Sequence, residues 1–285
     1  MSKSQFSILK KYLNMRKPLV VITGGSRGLG FNAAKYLSKL KWNLVIVDIG
    51  PKACAVYGES KNYLDVKNKL YNNNLVDFEF GDLTNEKNVS RILKSIEQKY
   101  KKIDGLVNFA GGDISGNDKL ASGKKPKSNN FFINYNDFKS VYERNFLSTY
   151  YMIKHCIPIM KKNRSGKIVN ISSISGTYGV EKEYAYASAK SNVIHLTRST
   201  ASFARKWDIN VNCIAPCGTK SARFLKFMKS RSKVDKVRLK EKGKLTSFAQ
   251  PEDVSKVVYF LLSDLSDFVS GQIIRLDGGE FTSAF

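Results

Sequence analysis

The sequence predicts a single α/β domain built on a doubly wound parallel sheet. Short continuous apolar runs recur along the chain, and segments with helical spacing lie between them. No linker, repeat or break in composition divides this alternation.

The apolar runs fall at 19–22, 44–47, 76–80, 105–109, 167–171, 209–214 and 272–276. Continuous rather than alternating apolar residues mark strands buried on both faces, as in a parallel sheet covered by helices. Between the runs, Ala33, Leu37 and Leu40 share one helical face, as do Val89, Ile92, Leu93 and Ile96. With 285 residues, 42% of them hydrophobic, the chain can fill one large core. The domain is placed at 18–285, after an arm, 1–17, whose Phe6, Ile8, Leu9, Tyr12 and Leu13 lie among lysines and predict a short surface helix. That arm's apolar stretch is too short for a secretory signal, and no run of eighteen apolar residues offers a membrane span. Two stretches interrupt the alternation. Residues from about 112 to 134 are polar and rich in Gly, Lys and Asn, and predict an exposed insertion loop. Residues from about 220 to 244 carry eleven Lys/Arg against two acidic residues, with Phe224, Leu225, Phe227 and Met228 near the start. They predict a short, mobile, basic helical lid over a substrate.

The formal charge of +24 would suit nucleic acid, an anionic membrane or an acidic partner. Asn and Lys are abundant throughout, however, as at 67–74 and 129–136, which reads as compositional bias. There is no zinc finger, no RNP-type aromatic motif and no basic heptad region, so neither nucleic acid nor membrane is expected as a partner. Cys54, Cys156, Cys213 and Cys217 form no CxxC pair, and the chain holds only two histidines, so no metal site is expected. Reduced thiols fit a cytoplasmic protein. His155 and His195 each lie on a predicted helix without an acidic partner in register and read as packing or surface residues.

Chemistry enters at residues 20–30, where Gly24, Gly28 and Gly30 form a GxxxGxG turn between a strand and a helix. Backbone N–H groups at such a helix N-terminus can hold a dinucleotide pyrophosphate, and a Cβ would hinder the approach. Ser26, Arg27 and Leu29 belong to the same turn. Asp48, eighteen residues after Gly30, ends the second strand, where a carboxylate accepts hydrogen bonds from the adenosine ribose hydroxyls and repels the extra phosphate of NADP. Arg27 pulls the other way, toward that phosphate. We weight Asp48 more heavily, since Arg27 can pair with Asp48 or solvent; a turn-capping Asp is the plainer alternative. Tyr186 and Lys190 lie four apart on one helical face, where an ammonium would lower a phenol pKa of about 10. Ser173, thirteen residues before Tyr186, follows a predicted strand, at the sheet edge where open α/β folds bind ligands.

Taken together, these motifs resemble the short-chain dehydrogenase/reductase family in its single-domain form, over residues 19–279. The resemblance rests on the TGxxxGxG turn at 23–30, on Asp82 after the third strand with Leu83 beside it, and on Asn108-Phe109-Ala110-Gly111 for the family's NNAG. Asn145, Ser173, Tyr186 and Lys190 stand for its tetrad; 212–216, 251–254, 270–272 and 277–279 match its closing segments. It implies a Rossmann fold and hydride exchange between a nicotinamide cofactor, NAD with NADP as the alternative, and a secondary alcohol or ketone. Ser173 would polarise the substrate carbonyl, Tyr186 would carry the proton, and Lys190 would lower its pKa while holding the nicotinamide ribose. Asn145 would hold a relay water. Asn108, Ala110, Gly111, Pro216 and Thr219 would line the cofactor. A homodimer or homotetramer, formed through the Tyr186 helix and the last strand, is also implied. The chain departs from the pattern at Phe109 in place of an Asn, at Cys217 in place of the Gly after Pro216, and in its longer 108–145 segment. Tyr184 has no lysine four residues on, so it is expected to pack or to line the pocket; Phe131 and Phe132 are expected to anchor the loop.

The expected substrate is a small polar sugar, polyol or cyclitol, whose hydroxyls Asp113, Ser115 and Asn117 can reach. The alternative is a 3-oxoacyl group on acyl carrier protein, an acidic partner that the 220–244 stretch could receive; Asp48 argues against it. A catalytically silent cofactor-binding subunit is the third reading.

Overall fold

The structure, a computed structural model, describes residues 17–70, 75–114, 122, 124–228 and 232–282. The expected N-terminal surface helix, Ser115, Asn117 and the middle of the 220–244 stretch lie outside those residues.

Seven strands follow the apolar runs: β1 (Leu19–Thr23), β2 (Asn43–Asp48), β3 (Val76–Phe80), β4 (Gly105–Asn108), β5 (Gly166–Ile171), β6 (Ile209–Pro216) and β7 (Ile273–Leu276). They form one sheet in the order β3-β2-β1-β4-β5-β6-β7, with every neighbouring pair parallel. The chain builds outward from β1 to β3, then returns to the other side of β1 at β4. That reversal leaves a crevice beyond the strand C-termini, which is where open α/β sheets bind ligands.

Helices α1 (Gly28–Lys39), α2 (Tyr63–Lys69), α3 (Glu86–Tyr100), α4 (Tyr135–Tyr142), α5 (Ser148–Lys162), α6 (Tyr184–Ala204), α7 (Ala222–Lys226), α8 (Lys233–Lys240) and α9 (Pro251–Leu262) complete the domain. One core packs α3 and α5 on the sheet through Val89, Ile92, Ile96, Met152 and Met160. A second core packs α1 and α9 on the other face through Ala34, Leu37, Val254, Val258 and Leu261. The inner strands are almost wholly buried, while β3 and β7, with a neighbour on one side only, are half-buried along most of their length. Two-sided burial therefore fails at the sheet edges. Leu40 also departs from its expected stripe: α1 ends at Lys39 and Leu40 is exposed. Asn62, Asn85 and Asn134 cap α2, α3 and α4 by accepting backbone N–H groups, so part of the asparagine richness has structural use.

Between α4 and α5 the chain makes a π-helical turn at Glu143–Leu147. Phe138, Tyr142, Phe146 and Tyr150 form a ladder of adjacent rings across it, with centroids 6.0, 5.3 and 6.3 Å apart. Asn145 is fully buried within the turn.

Candidate active site

At the strand C-termini lies one continuous cleft of ≈ 1440 Å³. Ordinary small-molecule pockets hold about 300–1,000 Å³, so this one has room for a dinucleotide and a substrate together. Its first wall is the glycine turn between β1 and α1. Gly24 and Gly28 have φ of 61° and 58°, backbone that favours glycine. A Cβ on Gly30 would lie 2.3 Å from the Gly24 carbonyl oxygen, and one on Gly24 would lie 3.0 Å from the Ala110 nitrogen. Beside Gly28 there is open space for 4 Å, and α1 has no acidic residue in its first turn. A positive helix end with no acidic residue of its own fits an anionic group such as a pyrophosphate, and a carboxylate from elsewhere in the chain, Glu59, meets it here.

Asp48 lines the same wall at the end of β2. Its Oδ2 accepts from the Ser26 nitrogen at 3.2 Å and the Ser26 hydroxyl at 2.5 Å, and its Oδ1 accepts from the Ile49 nitrogen at 2.8 Å. Ser26 therefore does not face the cleft as the sequence suggested. It is buried behind the cleft and aims the Asp48 carboxylate. Arg27 donates to the Ala53 carbonyl at 3.1 Å and lies 5.3 Å over the Tyr57 ring. Sequence reasoning missed Glu59, whose two carboxylate oxygens accept the Gly28 N–H at 3.1 and 3.0 Å. Burial pushes this carboxyl above its ordinary range. No local motif announces Glu59, because only the tertiary fold brings the loop after β2 against the turn.

Asp82 and Leu83 line the cleft as expected; Asp82 Oδ1 also accepts from the Thr84 nitrogen and hydroxyl. Ala110 and Gly111 line it too, with Ala110 held by a bond from its nitrogen to Thr23 Oγ1. Asn108 does not. It lies under the floor and donates to Asn170 Oδ1 at 2.9 Å, and Asn170 in turn donates to Thr197 on α6. Its role is to lock β4, β5 and the catalytic helix together. Pro216 and Thr219 are on the cleft wall, and the Thr219 hydroxyl is turned back onto the Cys217 carbonyl at 3.0 Å.

Tyr186 and Lys190 sit in the first two turns of α6. Lys190 is buried, donates to the Ile171 carbonyl at 2.7 Å and stands 5.6 Å from the Tyr186 ring centroid. Burial pushes its ammonium down to about 8. Ser173 lies beside Tyr186 and acts to lower its pKa, and Ser173 Oγ accepts the Ser175 N–H at 3.2 Å. Tyr186 departs from the sequence expectation. Burial first, then the charges of Glu183 and Asp113, push its pKa up; Ser173 and Arg223 act against them without prevailing. Asn145 has its side chain fully engaged: Oδ1 accepts the Gly112 N–H at 2.9 Å, and Nδ2 donates to the Gly112 and Val141 carbonyls at 3.0 and 2.7 Å. It fixes the loop after β4 from behind, and a Cβ on Gly111 would lie 2.5 Å from its Oδ1.

The other side of the cleft is formed by Asp113 and Lys125 of the insertion, by Glu183 before α6, and by the 220–244 stretch, whose Arg223, Phe224, Phe227 and Arg238 line it. Phe224 is buried against Phe248, with centroids 4.7 Å apart, and anchors α7. Phe131 and Phe132 are exposed and meet edge to face, and Phe131 also meets Tyr184 edge to face. Tyr184 packs rather than lining the cleft. His155 does have an acidic partner: its Nε2 lies 3.0 Å from Glu86 Oε1, a residue of α3 rather than of its own helix. Among the described residues no three His, Cys, Asp or Glu side chains converge as metal ligands, and no helix is long and apolar enough to cross a membrane.

Residues 24–280 match the family model described as enoyl-(acyl carrier protein) reductase. The chain belongs to the short-chain dehydrogenase/reductase family. A 3-oxoacyl-[acyl-carrier-protein] reductase of Thermotoga maritima is 31% identical over 198 residues, covering 70% of this chain and 74% of that protein. The secoisolariciresinol dehydrogenase of Forsythia intermedia is 28% identical over 264 residues, covering 92% of this chain and 88% of that protein. A solved short-chain type dehydrogenase/reductase from Mycobacterium ulcerans superposes with a TM-score of 0.78 at 25% identity, covering 93% of this chain and 90% of that one. ElxO with NADP bound superposes at 0.77 with 28% identity, covering 93% and 98%. The protein is thus an NAD(P)-dependent oxidoreductase acting on CH–OH or carbonyl groups.

Proposed function

We propose that this enzyme is an NAD-preferring dehydrogenase or reductase of small polar secondary alcohols and ketones, of the sugar, polyol or cyclitol type. One observation carries the reading: the Ser173–Tyr186–Lys190 cluster opens onto a substrate wall of charged side chains, while Asp48 guards the adenosine end of the same cleft.

When bound, the nicotinamide cofactor donates or accepts the hydride. Ser173 hydrogen-bonds the substrate oxygen. Tyr186, held above its ordinary range by burial, keeps its proton through neutral pH and can deliver it to a carbonyl oxygen during reduction. Lys190 brings positive charge beside the phenol and toward the nicotinamide ribose. Asn145, with its side chain committed to Gly112, acts by positioning rather than through a water on its carboxamide. Changing Tyr186 to Phe tests this assignment: turnover should vanish while NADH still binds. Full activity would sink it and revive a different proton carrier.

The preference for NAD is supported by the Asp48 carboxylate, aimed by Ser26, and by Arg27 being engaged with Ala53 and Tyr57. Comparing kcat/KM for NADH and NADPH decides it.

The second reading, a 3-oxoacyl-[acyl-carrier-protein] reductase, is favoured by the relatives of that activity and by the basic lid. A panel of sugars, polyols and 3-oxoacyl thioesters separates the two. We further propose a cytoplasmic homodimer or homotetramer, assembled through α6 and the half-buried edge strand β7, which sedimentation tests.

A further inference from the structure

The substrate wall contains a charge cluster that proton and hydride transfer do not use. Lys125 bridges two carboxylates: its Nζ lies 3.2 Å from Asp113 Oδ2 and also pairs with Glu183 Oε1. Asn129 donates to Asp113 Oδ2 at 2.8 Å, and Ser175 donates to Glu183 Oε2 at 3.2 Å. Glu183 is held at φ 66° directly before α6, a conformation that costs a non-glycine residue energy and survives where its surroundings impose it. Its N–H is bound to the Asn129 carbonyl at 2.8 Å. From the lid, Arg223 donates to the Asp113 carbonyl at 2.9 Å. Three separate segments therefore converge on Asp113, and the long 108–145 segment folds back to supply two of the contacts.

One atom in this cluster is unsatisfied. The Asp113 side chain is 7% exposed, yet among the described residues its Oδ1 has no hydrogen-bond partner. A buried carboxylate oxygen without a donor is costly, and this residue lines the cleft. Burial pushes the Asp113 carboxyl above its ordinary range, and a group that completes its ionised form brings a donor.

We infer that Asp113 Oδ1, with Glu183 beside it, is a substrate subsite that accepts a hydroxyl on the carbon next to the reacting one. The substrate class is then a vicinal diol or α-hydroxyketone, and the inference rests on the polar-substrate reading above. An acyl chain there would bury ionised groups against methylenes with no compensating bond. Asp113 and Glu183 line the same cleft as Tyr186, and their charges help to push its pKa up.

The test compares kcat/KM for trans-cyclohexane-1,2-diol with that for cyclohexanol, using NAD, in the intact enzyme and in Asp113→Asn. Loss of a hydrogen bond to a charged acceptor should lower the diol-to-cyclohexanol ratio about 10- to 100-fold, mainly through KM. Calorimetry in the Tyr186→Phe background, with NADH present, should show the same loss in diol binding. An unchanged ratio in an Asp113→Asn protein that melts like the parent overturns the subsite and leaves the polar-substrate reading standing. Should Asp113→Asn not fold, Lys125→Met, at a half-exposed position, must shift the ratio by about threefold or more through the loosened carboxylates; no shift overturns the proposal. An intact enzyme that ignores the diol and reduces a 3-oxoacyl thioester overturns the polar-substrate reading, and the subsite with it.

Discussion

The two halves of the cleft are built on different principles. The half proposed to hold the cofactor is mostly backbone: closely packed glycines at a helix end, and one carboxylate aimed by a neighbouring hydroxyl. The half proposed to take the substrate is made of side chains, with Asp113 and Lys125 from the insertion and Glu183 and Arg223 from two other segments. A backbone site tolerates almost no change in its few glycines but asks little of other residues. A side-chain site can be rewritten one residue at a time while the fold persists. The proposed catalytic pair, Tyr186 and Lys190, lines the same cleft.

The largest expected effect falls at that pair. Tyr186→Phe should lower kcat by about 10²–10⁴-fold, the range for loss of a positioned acid, with NADH affinity nearly unchanged in a fluorescence titration. Next comes the backbone half. Gly30→Ala puts a methyl 2.3 Å from the Gly24 oxygen, and overpacking of this kind costs about 1–3 kcal/mol. Cofactor binding should fall together with the melting temperature; retained binding would mean that the turn is less rigid than its contacts indicate.

The third expectation concerns pH. Lys190 is pushed down to about 8 by burial, so its charge beside the cofactor should be lost as pH rises through that value. NADH affinity should weaken across this range, and Lys190→Arg should flatten the profile. The same depression has a stability sign. Between about 8 and 10.5 the unfolded chain still holds the proton that the folded form has shed, so this group's contribution to stability improves as pH rises. Smaller still is Asp48→Ser, expected to move the NADPH-to-NADH preference about tenfold toward NADPH by removing like-charge repulsion. No change there would transfer the discrimination to another residue. At the bottom of the scale, Phe131→Ser on the exposed insertion should alter stability by no more than about 0.5 kcal/mol and kcat not at all. A measurable loss of activity would join that aromatic pair to the substrate half.

The same contrast explains what could be read from the sequence. The strands were legible because a parallel sheet buries both faces, and only β3 and β7 depart from that, as edges must. That the glycine turn, Asp48, Ser173, Tyr186 and Lys190 share one cleft was legible because each is marked by its spacing from a strand end or along a helix. Ser26 and Asn108 were placed in the right motifs but facing the wrong way: a motif fixes where the backbone goes, while the hydrogen bonds to Asp48 and Asn170 decide where the side chain points. Glu59 was invisible, since its partner Gly28 lies 31 residues away. Asp113 was singled out, but its setting was not, because Lys125 and Glu183 are 58 residues apart and only the fold unites them. The rise in Tyr186 had the same origin: the spacing showed the lysine, and the fold added burial and two carboxylates.

The π-helical turn at Glu143–Leu147 carries a consequence of its own. A π turn holds one residue more than the α turn it interrupts, so the two flanking helices are out of phase by the angle of a single residue. Restoring phase needs a deletion, not a substitution. Removing one residue from this turn would let α4 and α5 merge into a continuous α-helix and swing Asn145 off Gly112, while every strand of the sheet stayed in place. The active site's rear support is thus exposed to a different class of genetic accident from its front: point changes threaten Tyr186 and Gly30, and a shift of reading by one whole codon threatens Asn145.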